Sequence, residues 1–247
     1  MSREYPRLFM MNQRTIIITG AGGGLGYELA KLHLTAGDIV YGLEAYLLDE
    51  MKALEESYEN MHGYCCDISS EESVEAAVSQ FISKIKRIDI LYNNAGVCYN
   101  EAKTSLIETD LELCKKMMDV NAYGMIRVTK ALWHVIQEGS VICNISSEAG
   151  SIQAARRESW YGYCMSKAAL NMASKLLSNE LWHVGARVIN FDPGWLRSGM
   201  GGQEARDSVY SVDPAFSAGL IKDTVDHIEK IPRDQMFMTH EGRILPW

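Results

Sequence analysis

A run of glycines directly after a short apolar stretch most constrains how this 247-residue chain can fold. The apolar stretch is residues 15–18, and the run TGAGGGLG occupies residues 19–26. A strand that enters a glycine turn and then a helix presents backbone N–H groups and a positive helix end to a pyrophosphate. The glycines at 20, 24 and 26 depart from the usual dinucleotide fingerprint, and glycine clusters also occur in ordinary loops. The run therefore makes a nucleotide cofactor the leading hypothesis.

The size and composition of the chain indicate one globular domain. With 47% hydrophobic residues, the chain can bury a sizeable core. A net charge of −8 with scattered basic residues argues against a nucleic-acid partner. The apolar runs are too short for an export signal or a membrane span, so we expect a cytoplasmic protein with no membrane partner. We expect a single domain over residues 14–247, after an N-terminal extension at residues 1–13 that can be disordered.

The cysteines and histidines indicate neither disulfides nor a metal site. The six cysteines lie mostly inside apolar segments without an export context, which favours reduced, packed thiols. The adjacent pair Cys65 and Cys66 has no second cysteine pair or histidine pair at zinc-ligand spacing, and the six histidines are dispersed. We therefore expect no bound metal ion.

Short apolar segments alternate along the chain with stretches of helical periodicity. Besides the first strand, five segments are short, apolar and rich in β-branched or aromatic residues: 38–43, 63–66, 88–92, 140–145 and 187–191. Such continuous apolar runs are typical of strands buried on both faces of a sheet. Helical spacing is found at residues 25–36, 48–57, 70–86, 104–137, 163–184 and 216–230. The alternation predicts an α/β fold, a single-domain doubly wound (Rossmann-type) parallel sheet with helices on both faces.

Small and polar residues gather where the predicted strands end. They are Thr19 and Gly20, Glu44, Asp67, residues 93–96, Ser146 and Ser147, and residues 192–194. All of these positions are carboxyl ends, and ligands bind at that edge of an open α/β sheet. Turns also favour glycine, asparagine and aspartate, which is an alternative explanation of the pattern. We interpret this edge as a ligand-binding site.

A tyrosine followed four residues later by a lysine places a phenol and an ammonium group on one helix face. The positive charge favours the phenolate and lowers the pKa of the phenol, which makes a usable general acid or base. The chain contains three such pairs: Tyr27/Lys31, Tyr99/Lys103 and Tyr163/Lys167. Only the third begins a long predicted helix after a strand that ends in hydroxyl groups. We therefore select Tyr163 and Lys167.

Five elements, in this order, resemble the short-chain dehydrogenase/reductase family. They are the glycine turn at 19–26, NNAG at 93–96, Asn121 in VNAYG, Ser147 in ISS, and YCMSK at 163–167. Residues 193–198 are similar to the family's turn after strand six, and the resemblance runs from about residue 14 to residue 247. Two features depart from the pattern: the interval from Ser147 to Tyr163 is longer, and residues 243–247 replace a glycine-rich ending.

The resemblance implies hydride transfer between a nicotinamide cofactor and a secondary alcohol or ketone. Tyr163 would exchange a proton with the substrate oxygen, Lys167 would lower the pKa of Tyr163 and bind the ribose, and Ser147 would hold the substrate oxygen. Asn121 would support a water that relays the proton to solvent. From the residues alone Ser146 is an equally available donor, because successive strand side chains point to opposite faces. The family register selects Ser147.

Glu44 indicates which nicotinamide cofactor is preferred. It ends the second predicted strand 18 residues after Gly26, close to the interval at which an acidic side chain reaches the adenosine ribose. A carboxylate there repels a 2′-phosphate and favours NAD over NADP, although Glu44 as a solvated strand end is an alternative. By resemblance, the other cofactor contacts are expected at Gly20, Gly24, Leu25, Gly26, Asp67, Ile68, Asn94, Ala95, Gly96, Pro193, Gly194, Leu196 and Ser198, with Tyr163 and Lys167.

The substrate pocket is expected to bind a small molecule. Its predicted walls mix aromatic and charged side chains and do not select a substrate class: Cys98, Tyr99, Glu148, Ala149, residues 153–160 and residues 195–203. A nucleotide-bound regulator that keeps the fold without turnover is the alternative function. The intact Tyr163/Lys167 pair favours the enzyme, since a regulator has no need of the phenol. The resemblance also implies a homodimer or homotetramer, formed through the helices at 104–137 and 163–184.

Overall fold

Seven parallel strands form one sheet in the computed structural model, which describes residues 13–46, 48–99 and 104–247. The strands are β1 (Thr15–Thr19), β2 (Ile39–Glu44), β3 (Met61–Cys65), β4 (Ile90–Asn93), β5 (Val141–Ile145), β6 (Arg187–Asp192) and β7 (Phe237–Thr239). Their order in the sheet is β3-β2-β1-β4-β5-β6-β7. The direction of strand progression reverses between β1 and β4, which places a ligand crevice at their carboxyl ends. The predicted doubly wound, Rossmann-type sheet is confirmed.

Helices cover both faces of this sheet. Within the described residues they are α1 (Gly24–Thr35), α2 (Asp49–Ser57), α3 (Glu71–Ser79), α4 (Leu111–Met118), α5 (Gly124–Ala131), α6 (Tyr161–Leu181), α7 (Gly202–Asp207) and α8 (Pro214–Asp226). Buried residues of α1, α2 and α8 pack on one face with Ile16 and Ile18 of β1. Those of α3, α5 and α6 pack on the other face with Ile17, because strand side chains alternate between faces.

The predicted strands and helices differ from the structure at one divided helix and at two short elements that the prediction lacks. The stretch at 104–137 is divided by a π-helical turn, Asp119–Tyr123, which separates α4 from α5. Strand β7 and helix α7 have no counterpart in the prediction, since three and six residues are too short for a periodic pattern. The predicted extension at residues 1–13 lies outside the described residues except for Gln13.

A row of asparagine side chains crosses the centre of the sheet. Asn93, Asn144 and Asn190 lie in register on β4, β5 and β6. Asn93 Nδ2 donates to Asn144 Oδ1 at 2.8 Å, and Asn144 Nδ2 donates to Asn190 Oδ1 at 3.2 Å. Asn190 Nδ2 then donates to Asn171 Oδ1 of α6 at 3.0 Å. Because buried amides are costly unless they are hydrogen-bonded, this row fixes α6 against the sheet.

His33 of α1 lies fully buried near the amino ends of the strands, beside a charged cluster. Its Nδ1 lies 2.7 Å from Asp38 Oδ2 and its Nε2 lies 3.1 Å from Tyr92 Oη. Arg14 donates to Asp38 at 2.7 Å and to Asp226 of α8 at 2.6 Å. Burial lowers the pKa of His33, although the Asp38 carboxylate opposes that shift. Burial raises the pKa of Asp38, but hydrogen bonds from His33 and Arg14 outweigh it and hold that pKa well below its usual range.

Protonation of His33 is expected to destabilise the fold in mild acid. Because its pKa is lowered in the folded protein, the unfolded chain binds the proton more readily. Neutral His33 therefore contributes stability that is fully present above its unfolded pKa of about 6.5 and is lost as the pH falls below that value. The carboxylate of Asp38, whose pKa is depressed, contributes only to losses at much lower pH.

Thermal unfolding as a function of pH measures this effect. We expect the Tm of the wild type to fall from about pH 7 to about pH 5, and the Tm of His33→Gln to fall less. His183→Gln, at an exposed histidine, is the matched control and should follow the wild type. An equal fall in wild type and His33→Gln would assign the effect to another group.

Candidate active site

The glycine run forms a tight turn between β1 and α1. Gly20 has a φ of 69°, and its N–H donates to Leu43 O at 2.7 Å. A Cβ on Gly26 would lie 2.0 Å from Gly20 O, so only glycine fits where α1 crosses the turn. Helix α1 begins at Gly24 without a side-chain cap, which leaves its first N–H groups available to an anion. Leu25 is buried in the core and anchors this end of the helix.

The segment after β4 is bonded to the same turn. Asn94 Nδ2 donates to Thr19 O at 2.9 Å, and Thr19 Oγ1 accepts the N–H groups of Asn94 and Ala95, each at 3.0 Å. Gly96 follows, and a Cβ there would lie 3.5 Å from Lys167 Nζ. These hydrogen bonds fix the carboxyl end of β4 against the carboxyl end of β1. Gly96 lies next along the chain, close to Lys167.

Glu44 ends β2 beside the glycine turn. Its Oε2 accepts the N–H of Gly22 at 2.9 Å, and its Oε1 accepts the N–H of Ala45 at 3.2 Å. A Cβ on Gly23, the next residue of the turn, would meet no atom within 4 Å. The structure thus brings the predicted ribose-binding carboxylate to the turn that it was expected to serve.

Asp67 and Ile68 follow β3 but have different surroundings. Asp67 is exposed, and its Oδ1 accepts hydrogen bonds from Ser69 N at 2.9 Å and Ser69 Oγ at 2.7 Å. Ile68 is buried against the start of α5, where a Cβ on Gly124 would lie 2.6 Å from Ile68 Cδ1. The side chain of Ile68 therefore packs into the protein, whereas Asp67 offers its carboxylate to solvent.

Tyr163 and Ser147 face one another across the site. Tyr163 lies in the first turn of α6, and the Ser147 hydroxyl is near enough to its phenol to act to lower the pKa of that group. Ser147 Oγ also accepts the N–H of Ala149 at 3.2 Å. Ser146 is buried, and its Oγ donates to Asn171 Oδ1 of α6 at 2.7 Å. The structure therefore distinguishes two serines that the residues alone left equivalent: Ser147 meets the phenol, and Ser146 belongs to the core.

Lys167 and Asn121 complete the cluster. Lys167 is buried, its Nζ donates to Ile145 O at 2.8 Å, and that nitrogen lies 5.8 Å from the centre of the Tyr163 ring. Asn121 lies in the π-helical turn, where its Oδ1 accepts Val97 N at 2.7 Å and its Nδ2 donates to Val97 O at 2.9 Å. The wide turn thus aims the amide of Asn121 at the main chain that follows β4.

Burial dominates the electrostatics of this cluster. It raises the pKa of Tyr163, and Cys98, Asp192 and Glu148 add to that shift. Burial also lowers the pKa of Lys167 to about 8. The sequence led us to expect that Lys167 lowers the pKa of Tyr163. In the protein alone the loss of solvent around the phenol dominates, and the effect of Lys167 on the pKa of Tyr163 stays a prediction.

The segment after β6 passes over the glycine turn. Pro193 is buried, Gly194 has a φ of 81°, and Leu196 packs partly against the core. Ser198 reaches the turn itself, since a Cβ on Gly24 would lie 3.4 Å from Ser198 Cβ. The four residues of this segment that were expected to contact the cofactor therefore lie between the core and the glycine turn.

Asn171 supports the site and was not singled out from the sequence. Its Oδ1 accepts from Ser146 and Asn190, and its Nδ2 donates to Gly150 O at 3.2 Å. Asn171 lies four residues after Lys167 on α6, so it shares a helix face with that lysine. The four-residue spacing from Lys167 is the sequence feature that could have identified Asn171 as part of the site. Of the other Tyr/Lys pairs, Lys103 lies outside the described residues.

Two negative findings apply to the described part of the chain. No group of three or more histidine, cysteine, aspartate or glutamate side chains there could hold a metal ion. No helix in those same ranges is long and apolar enough to cross a membrane. The cytoplasmic location stays a prediction from the sequence.

Comparison with known proteins decides the family. The family model described as short chain dehydrogenase matches residues 14–208. The chain belongs to this family. As a short-chain dehydrogenase, the protein is an oxidoreductase that binds a nicotinamide cofactor and takes a small-molecule substrate.

Relatives of this short-chain dehydrogenase are similar over nearly its whole length. The 1-hydroxy-2-glutathionyl-2-methyl-3-butene dehydrogenase of a Rhodococcus species is 26% identical, over 94% of this chain and 99% of the relative. The NADPH-bound carbonyl reductase from chicken fatty liver superposes with a TM-score of 0.83 at 22% identity, covering 95% and 99% of the two chains. The 3-ketoacyl-(acyl-carrier-protein) reductase of Brucella melitensis, complexed with NADH, gives 0.79 at 23% identity, covering 92% and 95%. The two solved structures confirm the fold, and their cofactors differ.

Proposed function

We propose that this short-chain dehydrogenase transfers a hydride between NAD(H) and a secondary alcohol or its ketone. The observation that carries the proposal is the meeting of three groups: the Tyr163 phenol, the Ser147 hydroxyl, which acts to lower the pKa of that phenol, and the buried Lys167, whose Nζ lies 5.8 Å from the centre of the Tyr163 ring. Two neighbouring hydroxyl groups can both hydrogen-bond to a substrate oxygen, and one of them can exchange a proton with it. A regulator without turnover has no use for this pair. The cradle between Gly20 and Gly26, which a Cβ would fill, fits a pyrophosphate.

In the proposed mechanism four polar side chains act on the substrate oxygen, the transferred proton and the ribose. Tyr163 Oη donates its proton to the carbonyl oxygen during reduction and removes the hydroxyl proton during oxidation. Ser147 Oγ donates a hydrogen bond to the same oxygen, where negative charge develops. Lys167 binds the ribose hydroxyls, and its positive charge favours the phenolate of Tyr163 against the effect of burial, which raises the pKa of the phenol. Asn121 supports a water beside Lys167 that carries the proton onward. The bound nicotinamide supplies or accepts the hydride.

A substrate screen tests the proposed reaction. Secondary alcohols are offered with NAD, and polar, sugar-like and steroid ketones with NADH, while NADH absorbance is followed. We expect turnover of at least one alcohol and ketone pair. Tight NADH binding without any turnover would contradict the proposal and favour the nucleotide-bound regulator.

Glu44 is the basis for proposing NAD rather than NADP. Its carboxylate is held at the glycine turn by the N–H of Gly22, so a 2′-phosphate bound there would meet a negative charge. The sequence carries neither Arg nor Lys at Gly23 of the turn or at Ala45 and Tyr46 after Glu44, positions from which a basic side chain could bind that phosphate. We propose that the preference for NAD arises from this repulsion.

Titration with NADH and with NADPH, followed by quenching of tryptophan fluorescence, measures that preference. We expect the wild type to bind NADH at least about tenfold more tightly, and Glu44→Arg to shift toward NADPH by a similar factor, since about 1.4 kcal/mol is a tenfold change. Glu50→Arg makes the same charge change at an exposed position of α2 and should not alter the ratio. A wild type that prefers NADPH would contradict the role of Glu44. Binding of neither nucleotide would contradict the oxidoreductase proposal itself.

We also propose self-association into a homodimer or homotetramer. Helices α5 and α6 leave large apolar side chains exposed, among them Ile126, Met172 and Leu176. Exposed apolar patches of this kind mark protein interfaces. Molar mass from light scattering tests the proposal, and a monomer at micromolar concentration would contradict it.

A further inference from the structure

A stack of three side chains lies beside Tyr163, on the segment between Ser147 and Tyr163. Glu148 accepts hydrogen bonds from both terminal nitrogens of the Arg157 guanidinium. Arg157 Nη1 donates to Glu148 Oε2 at 2.7 Å, and Nη2 donates to Oε1. The guanidinium carbon of Arg157 lies 5.1 Å from the centre of the Trp160 ring. The Trp160 ring meets the Tyr163 ring edge-on, with 6.2 Å between centres and 73° between planes. The contacts therefore run without interruption from Glu148 to the phenol ring.

The backbone of Trp160 is strained. With φ of 68° and ψ of 34°, it is the one non-glycine residue of positive φ among the described residues. A bulky side chain adopts this region at a cost, and such strain persists where the surroundings enforce it, often at functional sites. Trp160 directly precedes Tyr161, the first residue of α6. The strained residue thus lies at the point where the helix that carries Tyr163 begins.

Arg156 shows that this arrangement is not common to the whole segment. Both arginines are exposed, but within the described residues the guanidinium of Arg156 bonds only to the nearby carbonyl groups of Gln153 and Ala155. Arg157 has a bidentate carboxylate partner and an aromatic face, and its charge interacts with Tyr163. These contacts distinguish Arg157 from its neighbour.

The segment is also held at its start. Ser151 Oγ donates to Pro246 O at 2.7 Å, and the N–H of Gln153 donates to Trp247 O at 2.9 Å. The ring of Trp247 in turn stacks on Phe237 of β7, with 5.5 Å between ring centres. The longer interval before Tyr163 is therefore tied to the sheet rather than left as an independent loop.

We propose that the stack of Glu148, Arg157 and Trp160 is a positioning device that fixes the Tyr163 phenol against Ser147. Arg157 and Trp160 act through Tyr163 and are positioning residues. The inference rests on the proposed role of Tyr163 as proton donor. The position of that phenol matters because a misplacement of about 1 Å can lower a reaction rate about a hundredfold. Without the stack, the Tyr163 ring loses its edge-on contact with Trp160.

Nuclear magnetic resonance of the full chain tests the positioning without any substrate. Tyrosine is labelled with ¹³C at Cζ, and the Tyr163 signal is identified by its absence in Tyr163→Phe. We expect one narrow signal in the wild type and a shifted or broadened signal in Arg157→Gln and Trp160→Gly. Glycine adopts a φ of 68° without strain, so Trp160→Gly is compatible with the native backbone. Arg156→Gln is the matched control, and its Tyr163 signal should equal that of the wild type.

Kinetics with any ketone that the wild type reduces give the second measurement. We expect kcat to fall by about 10- to 100-fold in Arg157→Gln and Trp160→Gly, with a smaller change in KM. Arg157→Lys keeps the charge but loses the planar fork, so it should recover only part of kcat.

The outcomes separate this inference from the proposed function. An unchanged Tyr163 signal in both variants, or unchanged kcat in both while the wild type turns over, would overturn the positioning role alone. Absence of wild-type turnover would contradict the proposed function, and the Tyr163 signal would still decide whether the stack holds the ring.

Discussion

Tyr163→Phe is expected to lower kcat/KM by about 10²- to 10⁴-fold, the range that a positioned general acid contributes. Phenylalanine keeps the ring that meets Trp160 edge-on, and it removes only the phenolic oxygen beside the Ser147 hydroxyl. Steady-state kinetics of ketone reduction measure the loss, and NADH titration should show little change in affinity.

Tyr27→Phe is the matched control for this substitution. Tyr27 also precedes a lysine by four residues, but it lies partly buried on α1 against the core. We expect its kcat/KM to equal that of the wild type. If Tyr163→Phe retained wild-type kcat, the phenol could not be the proton donor.

Gly26→Ala is expected to lower NADH affinity by about 100-fold or more, which corresponds to about 2.8 kcal/mol. The new Cβ would lie 2.0 Å from Gly20 O and 2.5 Å from Asn94 Nδ2, so either α1 or the turn must move. Overpacking of this kind typically costs about 1–3 kcal/mol of stability. Fluorescence titration with NADH and urea unfolding measure the two effects.

Gly23→Ala places the same methyl group in the same turn, where it would meet no atom within 4 Å. The backbone of Gly23 is extended, with φ of −166°, so alanine is tolerated there. We expect a far smaller loss of NADH affinity than in Gly26→Ala. Equal losses in the two variants would mean that the fit of Gly26 against Gly20 is not what shapes the site.

The place of the site could be predicted from the sequence, because parallel strands bring their carboxyl ends to one edge. Gly20, Glu44, Asn94 and Ser147 are far apart in the chain, yet each follows a buried apolar run. The apolar runs located the strands, and the order of strands and helices implied the parallel sheet.

The orientation of single side chains was harder to predict. The alternation of side chains along a strand predicts that Ser146 and Ser147 point to opposite faces, but it does not predict which of them faces the site. That choice came from family resemblance, and the structure gives its physical basis: Ser146 is bonded to Asn171 in the core. A contact between residues 25 positions apart has no signature in a local pattern.

Local irregularities also had no sequence signal. The π-helical turn around Asn121 is associated with side-chain bonds to Val97, which lies 24 residues earlier, so helical periodicity alone predicted one long helix. The left-handed backbone at Trp160 falls on a residue type that does not favour it. Both features lie at the site, where local preference commonly yields to tertiary contacts.

The asparagine row across β4, β5 and β6 has a consequence for how the sheet assembles. The strands around it are almost wholly apolar on both faces, so a shift by one residue replaces one apolar side chain by another. An out-of-step pairing would separate the carboxamides of Asn93, Asn144 and Asn190 and leave them without partners among hydrocarbon side chains. Misaligned sheets are thereby penalised during folding. These three polar residues thus select one alignment that the surrounding apolar residues do not specify.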